Sequence, residues 1–210
     1  MTRKTRVVVL ISGRGSNMAA LIEATRAPDY PAEIVAVLSN RPDAKGLDVA
    51  RAAGLHAEAI DHKAFSSRED FEAALEARLE VHEADIVALA GFMRLMTPSF
   101  VERWTGRMIN IHPALLPSFK GLHTHERALA AGVRLHGCTV HYVTPGMDEG
   151  PIIAQAAVAV LAGDTADVLG ARVLAAEHRL YPLALARVAR GEAPIVAGLV
   201  AIAGDDLLLG

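Results

Sequence analysis

The chain has 210 residues, of which 52% are hydrophobic and 4% aromatic, and its formal net charge is −3 at pH 7. This length suits one large α/β domain with a sizeable core built mainly from Ala, Val, Leu and Ile. The charge balance argues against the basic surface that nucleic-acid binding needs, and no apolar run approaches the roughly 18 residues of a membrane span.

Two features bear on the compartment. Cys138 is the single cysteine, which excludes an internal disulfide and fits a reducing environment. Residues 1–15 begin with charged and then apolar residues, as a signal peptide does, but the apolar run is too short and no small-residue cleavage site follows. We therefore expect a cytoplasmic protein.

Strand and helix patterns alternate along the first part of the chain. Continuous aliphatic runs predict strands at 6–12, 33–40, 56–60, 85–91 and 107–112. Helical spacing between these runs predicts helices at 18–27, 44–54, 67–82 and 98–104. This alternation predicts an α/β fold whose sheet is mostly parallel, with helices on both faces.

The pattern changes after residue 135. Two strand-like runs, 136–143 and 151–160, flank the loop 144–150 and predict an antiparallel extension of the sheet. The longest helical segment covers 164–191, where Pro182 predicts a kink or a break. The tail at 193–204 is predicted to add a short strand. No repeat, linker or low-complexity segment appears, so a single domain is the simplest interpretation.

The loop Gly13–Asn17 lies between the first predicted strand and a helix. Glycines allow close backbone approach to a ligand, and free N–H groups at a helix N-terminus favour an anion. The dinucleotide fingerprint is incomplete, because its third glycine is missing and the second strand ends in Ser39-Asn40 instead of an acid. The loop therefore predicts a site for a single phosphate group, to which Ser16 and Asn17 add side-chain donors. The alternative is an ordinary strand-to-helix turn.

Asn110 and His112 end the fifth predicted strand. Residues two apart in a strand project to the same side, at the edge where open α/β sheets bind ligands. An asparagine amide can donate to a developing oxyanion, and a histidine can transfer protons near neutral pH. Alternatively, both side chains merely satisfy loop backbone groups.

Asp148 lies in the glycine-bounded turn of the loop 144–150. If this loop folds over His112, the carboxylate orients the imidazole and favours its protonated form. Such a pair, without a serine or cysteine nucleophile, suggests direct group transfer. The alternative is a purely structural turn aspartate.

A metal site is the rival interpretation of the histidines. His123 with His125, and His136 with His141, form candidate ligand pairs. Neither a cysteine pair nor an HExxH motif accompanies them, so we predict that no metal is required.

Six segments along nearly the whole chain carry a family resemblance. They read, in order, VVLISGRGSN, LSNRPDAKGL, VALAGFMRLM, NIHPALLPSFKGLHTHERAL, HGCTVHYVTPGMDEGPII and AEHRLYP. In these segments the chain resembles the phosphoribosylglycinamide formyltransferases, the folate-dependent glycinamide ribonucleotide transformylases of purine synthesis. The resemblance implies a Rossmann-like formyltransferase fold spanning 1–210, with a phosphate-binding half at about 1–105 and a catalytic, folate-binding half at about 106–210.

The resemblance also implies roles for individual residues. Catalysis falls on Asn110, His112 and Asp148, and binding of the ribonucleotide phosphate falls on Gly15, Ser16 and Asn17. His141 and Glu177 match positions near the glycinamide. The implied folate site comprises Arg68, Met93, Arg94, Leu95, Met96, Asn110, Thr144, Pro145, Gly146, Met147 and Asp148. The family pattern does not predict the effect of Glu149 or of Cys138-Thr139, where this chain departs from it.

The implied reaction uses 10-formyltetrahydrofolate as co-substrate and glycinamide ribonucleotide as acceptor. Both are small molecules, and the sequence leaves a monomer and a homodimer equally open. One alternative is a formyltetrahydrofolate deformylase-like hydrolase, although we expect no N-terminal regulatory domain because the glycine loop begins at residue 13. A methionyl-tRNA formyltransferase would need a basic RNA-binding domain, and a non-catalytic phosphate-ligand sensor would not need the full Asn-His-Asp set.

Overall fold

A computed structural model of the chain describes residues 3–201. Its strands are β1 (Thr5–Ile11), β2 (Ala32–Ser39), β3 (His56–Ala59), β4 (Ile86–Leu89), β5 (Met108–His112), β6 (Leu135–Tyr142), β7 (Ile152–Ala159), β8 (Ile195–Val196) and β9 (Leu199–Val200). The first seven form one sheet in the order β3-β2-β1-β4-β5-β6-β7, and the last two form a separate hairpin. The predicted α/β fold with a mostly parallel mixed sheet is confirmed. By its internal contacts the chain divides into two compact units, residues 1–109 and 110–210.

The N-terminal unit is built around β1. This strand pairs in parallel with β2 on one side and β4 on the other, and β2 pairs in parallel with β3. Every residue from Val7 to Ile11 is fully buried, as expected for a central strand with no solvent-facing side. The helices of this unit are α1 (Ser16–Thr25), α2 (Gly46–Ala52), α3 (Arg68–Val81) and α4 (Pro98–Arg103), with a single 3₁₀ turn at His62–Ala64.

Local chemistry explains where these helices begin. The Ser67 hydroxyl accepts a hydrogen bond from the Asp70 amide at 3.0 Å, and Thr97 caps α4 in the same way through the Phe100 amide at 3.3 Å. The predicted start of α3 at Ser67 is thereby confirmed. α1 begins earlier than predicted, at Ser16, because Gly15 adopts a left-handed conformation with φ 73° and turns the chain directly into the helix. Ser16 and Asn17 therefore lie in the first turn of α1.

The C-terminal unit contains the predicted antiparallel pair, because β6 pairs with β7 from Leu135↔Ala159 onward. Its helices are α5 (Thr124–Ala130) and α6 (Ala166–Arg190). Pro182 lies inside the continuous helix α6, so of the predicted kink or break, the break is wrong and the kink stays a prediction. Leu180, Tyr181, Ala184 and Leu185 are buried around the proline, and this packing offsets the one backbone hydrogen bond that proline cannot donate.

The tail forms the β8–β9 hairpin where a single short strand was predicted. The last residues of that prediction, 202–204, lie outside the described residues. Across the part of the chain that is described, none of the helices has both the length and the apolar character to cross a bilayer.

Candidate active site

The C-terminal unit brings together the predicted trio of Asn110, His112 and Asp148, with His141 at its centre. The Nδ1 atom of His112 lies 3.5 Å from Oδ2 of Asp148. Nε2 of His141 lies 3.8 Å from Oδ1 of the same carboxylate and 3.2 Å from Nδ2 of Asn110. His112 is only 5% exposed, so these groups interact in a largely dry environment where electrostatic effects are strong.

His112 has an acceptor at each ring nitrogen. Nε2 lies 3.0 Å from the carbonyl oxygen of Phe119, and because a carbonyl can only accept, this nitrogen must donate. The other nitrogen, Nδ1, faces the Asp148 carboxylate. A neutral ring has one N–H and can satisfy one of these acceptors, whereas the imidazolium satisfies both. Both ring nitrogens of His112 therefore face hydrogen-bond acceptors.

His141 determines how the Asn110 amide is oriented. Its Nδ1 donates to the carbonyl of Tyr142 at 2.9 Å, so Nε2 carries the lone pair and accepts from Nδ2 of Asn110. Burial lowers the pKa of His141 and keeps the ring neutral. Asn110 thus presents its nitrogen to His141 and retains a second N–H for another acceptor. Family resemblance predicted His141 only as a substrate-binding residue, and that role stays a prediction.

The turn carrying Asp148 is attached to residues 117–123. Asp148 adopts φ 53°, which aspartate tolerates better than most residues, and its Oδ2 accepts from the Gly121 amide at 2.8 Å. Glu149 pairs with Lys120 at 2.8 Å, and this partner lowers the pKa of Glu149. The departure at Glu149 therefore adds a second attachment for the loop. The remaining predicted loop residues are partly or fully exposed, and Met147 is 53% exposed.

Several supporting groups were missed by sequence reasoning. The buried Thr139 hydroxyl donates to the carbonyl of Ala114 at 2.6 Å and accepts from the Leu116 amide at 3.0 Å, which holds the proline-rich turn after β5. Arg127 donates to the carbonyls of Lys120 and Leu122, beside the turn that contacts Asp148. The hydroxyl of Thr139 on a predicted strand was the one available signal.

The other predicted polar residues of this unit occupy separate positions. Glu177 is buried on α6 at 6% exposure. His125 contacts His136 at 3.1 Å, and burial lowers the pKa of His136 to about 4. The ring of His123 is 75% exposed and pairs with Glu126 instead. Cys138 is buried, and burial raises its pKa to about 12, which makes it a poor nucleophile.

The glycine loop of the N-terminal unit packs tightly against α2. The Gly46 amide donates to the carbonyl of Gly13 at 2.9 Å. Gly15 is buried, and an added Cβ there would lie 3.0 Å from Cε of Met18 and 3.1 Å from Cα of Gly46. The loop therefore requires glycine at position 15 for both space and conformation. It leads directly into the N-terminus of α1, as an anion site requires.

The predicted folate residues of this unit lie in the segment 93–96 and at the start of α3. Ser12 donates to Oδ1 of Asn40 at 2.5 Å and accepts from the Met93 amide at 2.8 Å, which anchors the irregular segment 93–96. Within that segment Met93 and Leu95 are 67% and 61% exposed, and the Arg94 guanidinium lies 5.8 Å from the centre of the Phe71 ring. Arg68 is exposed in the first turn of α3. Sequence reasoning missed the anchoring role of Ser12 and Asn40.

Replacing Gly15 with alanine should destabilise the protein by about 1–2 kcal/mol, because a left-handed alanine is strained and its methyl group crowds Gly46. Gly13→Ala is the matched control, since a Cβ at Gly13 would meet nothing within 4 Å. Urea unfolding of both variants measures the difference. Equal stability of the two variants would contradict a steric and conformational requirement at position 15.

Comparison with known proteins identifies close relatives. A family model described as formyl transferase matches residues 5–185. The phosphoribosylglycinamide formyltransferase of Escherichia coli (strain K12) is 46% identical over 185 residues, which cover 88% of this chain and 87% of that protein. The human trifunctional purine biosynthetic protein adenosine-3 is 51% identical over 189 residues, or 90% of this chain, and the chain spans 19% of that protein's length. The crystal structure of glycinamide ribonucleotide transformylase 1 from Symbiobacterium toebii matches with TM-score 0.92 and 47% identity, over 95% of this chain and 94% of that one.

Proposed function

This chain belongs to the formyl transferase family, and we propose that it transfers a formyl group from 10-formyltetrahydrofolate to the amine of glycinamide ribonucleotide in purine synthesis. The observation that carries the proposal is the cluster of Asn110, His112 and Asp148, which provides hydrogen-bond donors and a proton but no covalent nucleophile. Relatives named for this activity, at the identities given above, support the same assignment.

The proposed reaction is a direct displacement at the formyl carbon. The glycinamide amine attacks this carbon and forms a C–N bond, which moves electron density onto the formyl oxygen. The second N–H of Asn110 stabilises the oxyanion. The His112 imidazolium does so too, once its Nε2–H exchanges the Phe119 carbonyl for the substrate. The C–N10 bond then breaks and N10 receives a proton from His112. The attacking nitrogen gives up one proton to the imidazole that this leaves, which restores the His112 imidazolium. Formylated amide and tetrahydrofolate are the products, and Asp148 holds His112 in position throughout.

Substrate binding is assigned to separate groups of residues. Gly15, Ser16 and Asn17 bind the ribonucleotide phosphate, because the backbone N–H groups of the first turn of a helix point towards its N-terminus and the positive end of the helix dipole favours an anion. His141 and Glu177 contact the glycinamide portion. The folate is bound by apolar and polar groups that are exposed or partly buried, namely Arg68, Met93, Arg94, Leu95, Met96, Asn110 and residues 144–148. Fixing both substrates removes much of the entropic barrier to their reaction.

The proposal extends to the ligands, partners, location and oligomeric state of the enzyme. Both substrates are small molecules, the donor is a folate, and catalysis requires no metal. We place the enzyme in the cytoplasm, without nucleic-acid or membrane partners, as a monomer or a homodimer in one formyltransferase domain.

The decisive assay mixes the protein with 10-formyltetrahydrofolate, with and without glycinamide ribonucleotide, and follows tetrahydrofolate release. We expect release that depends on the ribonucleotide and is matched by formylated product. Equal release without the ribonucleotide would instead establish a deformylase-like hydrolase. Folate binding without release in either mixture would indicate a non-catalytic sensor.

A further inference from the structure

A second cluster of polar side chains lies in the N-terminal unit, apart from the residues assigned above. His56 and Glu58 are on β3, which is the outermost strand of the sheet, and His82 directly follows the end of α3. One potential ligand atom from each side chain lies within 4.8 Å of the other two. Two imidazoles and a carboxylate are the donor set that zinc and similar transition metals prefer.

The geometry of this cluster is close to what an ion needs. Nε2 of His56 lies 3.7 Å from Oε1 of Glu58, and the rings of His56 and His82 have centroids 4.7 Å apart. A tetrahedral ion with bonds near 2.0–2.1 Å draws its ligand atoms to about 3.3 Å from one another. The side chain of His56 is 46% exposed, so it can close this distance by a small rotation and leave a fourth position open to water.

His82 offers a ring nitrogen as a ligand atom. Its Nε2 atom is buried and has no hydrogen-bond partner among residues 3–201. A buried ring nitrogen without a partner costs free energy, and a bound ion offers the ring a favourable interaction.

Glu58 is ionised and oriented by Arg78. The guanidinium contacts Oε1 at 2.5 Å and Oε2 at 3.0 Å. Burial by itself would raise the pKa of Glu58, but the hydrogen bond and charge of Arg78 leave it lowered. Each carboxylate oxygen has a further lone pair, so Arg78 can remain in place as an outer partner of a metal-bound carboxylate.

We propose that His56, Glu58 and His82 form a binding site for a divalent transition-metal ion of the Zn²⁺ class, which links the edge strand β3 to the end of α3. The site is independent of formyl transfer. His82 is far in sequence from His56 and Glu58, so the ion binds the folded chain in preference to the unfolded one and stabilises the fold by mass action. Nitrogen ligands favour Zn²⁺ over Mg²⁺.

The test titrates the full-length, metal-free protein with Zn²⁺ in a calorimeter and records thermal unfolding with and without the ion. We expect one saturable site and a rise in Tm of about 5–10 °C at 100 times Kd. His56→Ala, His82→Ala and Glu58→Gln should each weaken this binding by about tenfold or more. His123→Ala removes an exposed histidine elsewhere and should leave it unchanged.

Two further controls distinguish the site from binding by other histidines. Mg²⁺ at the same concentration should cause no comparable rise in Tm. Circular dichroism of the metal-free variants separates loss of the site from loss of the fold. The proposal would be overturned by Zn²⁺ affinity that is unchanged in His56→Ala and His82→Ala, or by the absence of saturable binding to the parent protein.

Discussion

Replacing His112 with alanine is expected to lower kcat by roughly 10³-fold or more, because the proposed mechanism assigns to this one side chain both an oxyanion donor and the proton for the leaving nitrogen. Its two ring nitrogens face the Phe119 carbonyl and the Asp148 carboxylate, a setting that alanine cannot reproduce. Neither proton donation nor charge stabilisation would remain at this position. Steady-state kinetics with both substrates measures the effect, and KM should change much less than kcat.

The loss of a buried ring also leaves a cavity, so stability has to be separated from catalysis. His112→Gln retains most of the volume and a hydrogen-bonding group but cannot act as a proton donor at neutral pH, and we expect a comparable loss of turnover. His123→Ala, at an exposed position, should be nearly normal. Near-normal turnover in a folded His112→Ala protein would remove this histidine from the mechanism.

Replacing Asp148 with asparagine should reduce kcat by about 10²- to 10⁴-fold while the turn keeps its shape. Asparagine tolerates the left-handed conformation that Asp148 adopts at φ 53°, and its side-chain oxygen can still accept from the Gly121 amide. The substitution therefore removes mainly the negative charge that faces the His112 ring. Kinetics at saturating concentrations of both substrates reports this loss.

The neighbouring residue provides a matched control on the same loop. Glu149→Gln makes the same chemical change, but its side chain is 57% exposed and pairs with Lys120 across the surface. Exposed ion pairs contribute little to stability, so the loop should keep its conformation in this variant. We therefore expect less than about a threefold change in kcat. If both variants lost activity equally, attachment of the loop, and not the charge beside His112, would explain the role of Asp148.

Much of this architecture could be predicted from local patterns. The uninterrupted aliphatic run of β1 is what a strand covered on both faces requires, and Ser67 indicated the start of α3 because its hydroxyl satisfies a free backbone amide. The period of two along β5 suggested that Asn110 and His112 act together. Pro182 shows the limit of such rules, since packing within α6 outweighed the local cost of proline.

The sequence by itself thus determined the succession of strands and helices along the chain, the position of the glycine loop, and the choice of Asn110, His112 and Asp148 as the polar trio. Each of these depends on neighbouring residues and a fixed backbone period. Only the tertiary structure decided how those side chains are oriented. The partners that orient His112, Asn110 and Asp148 are the Phe119 carbonyl, a ring nitrogen of His141 and the Gly121 amide. Two of these are backbone atoms, which every residue type possesses, and all of them are brought into contact by chain folding. No residue pattern records such contacts, so they become visible only in three dimensions.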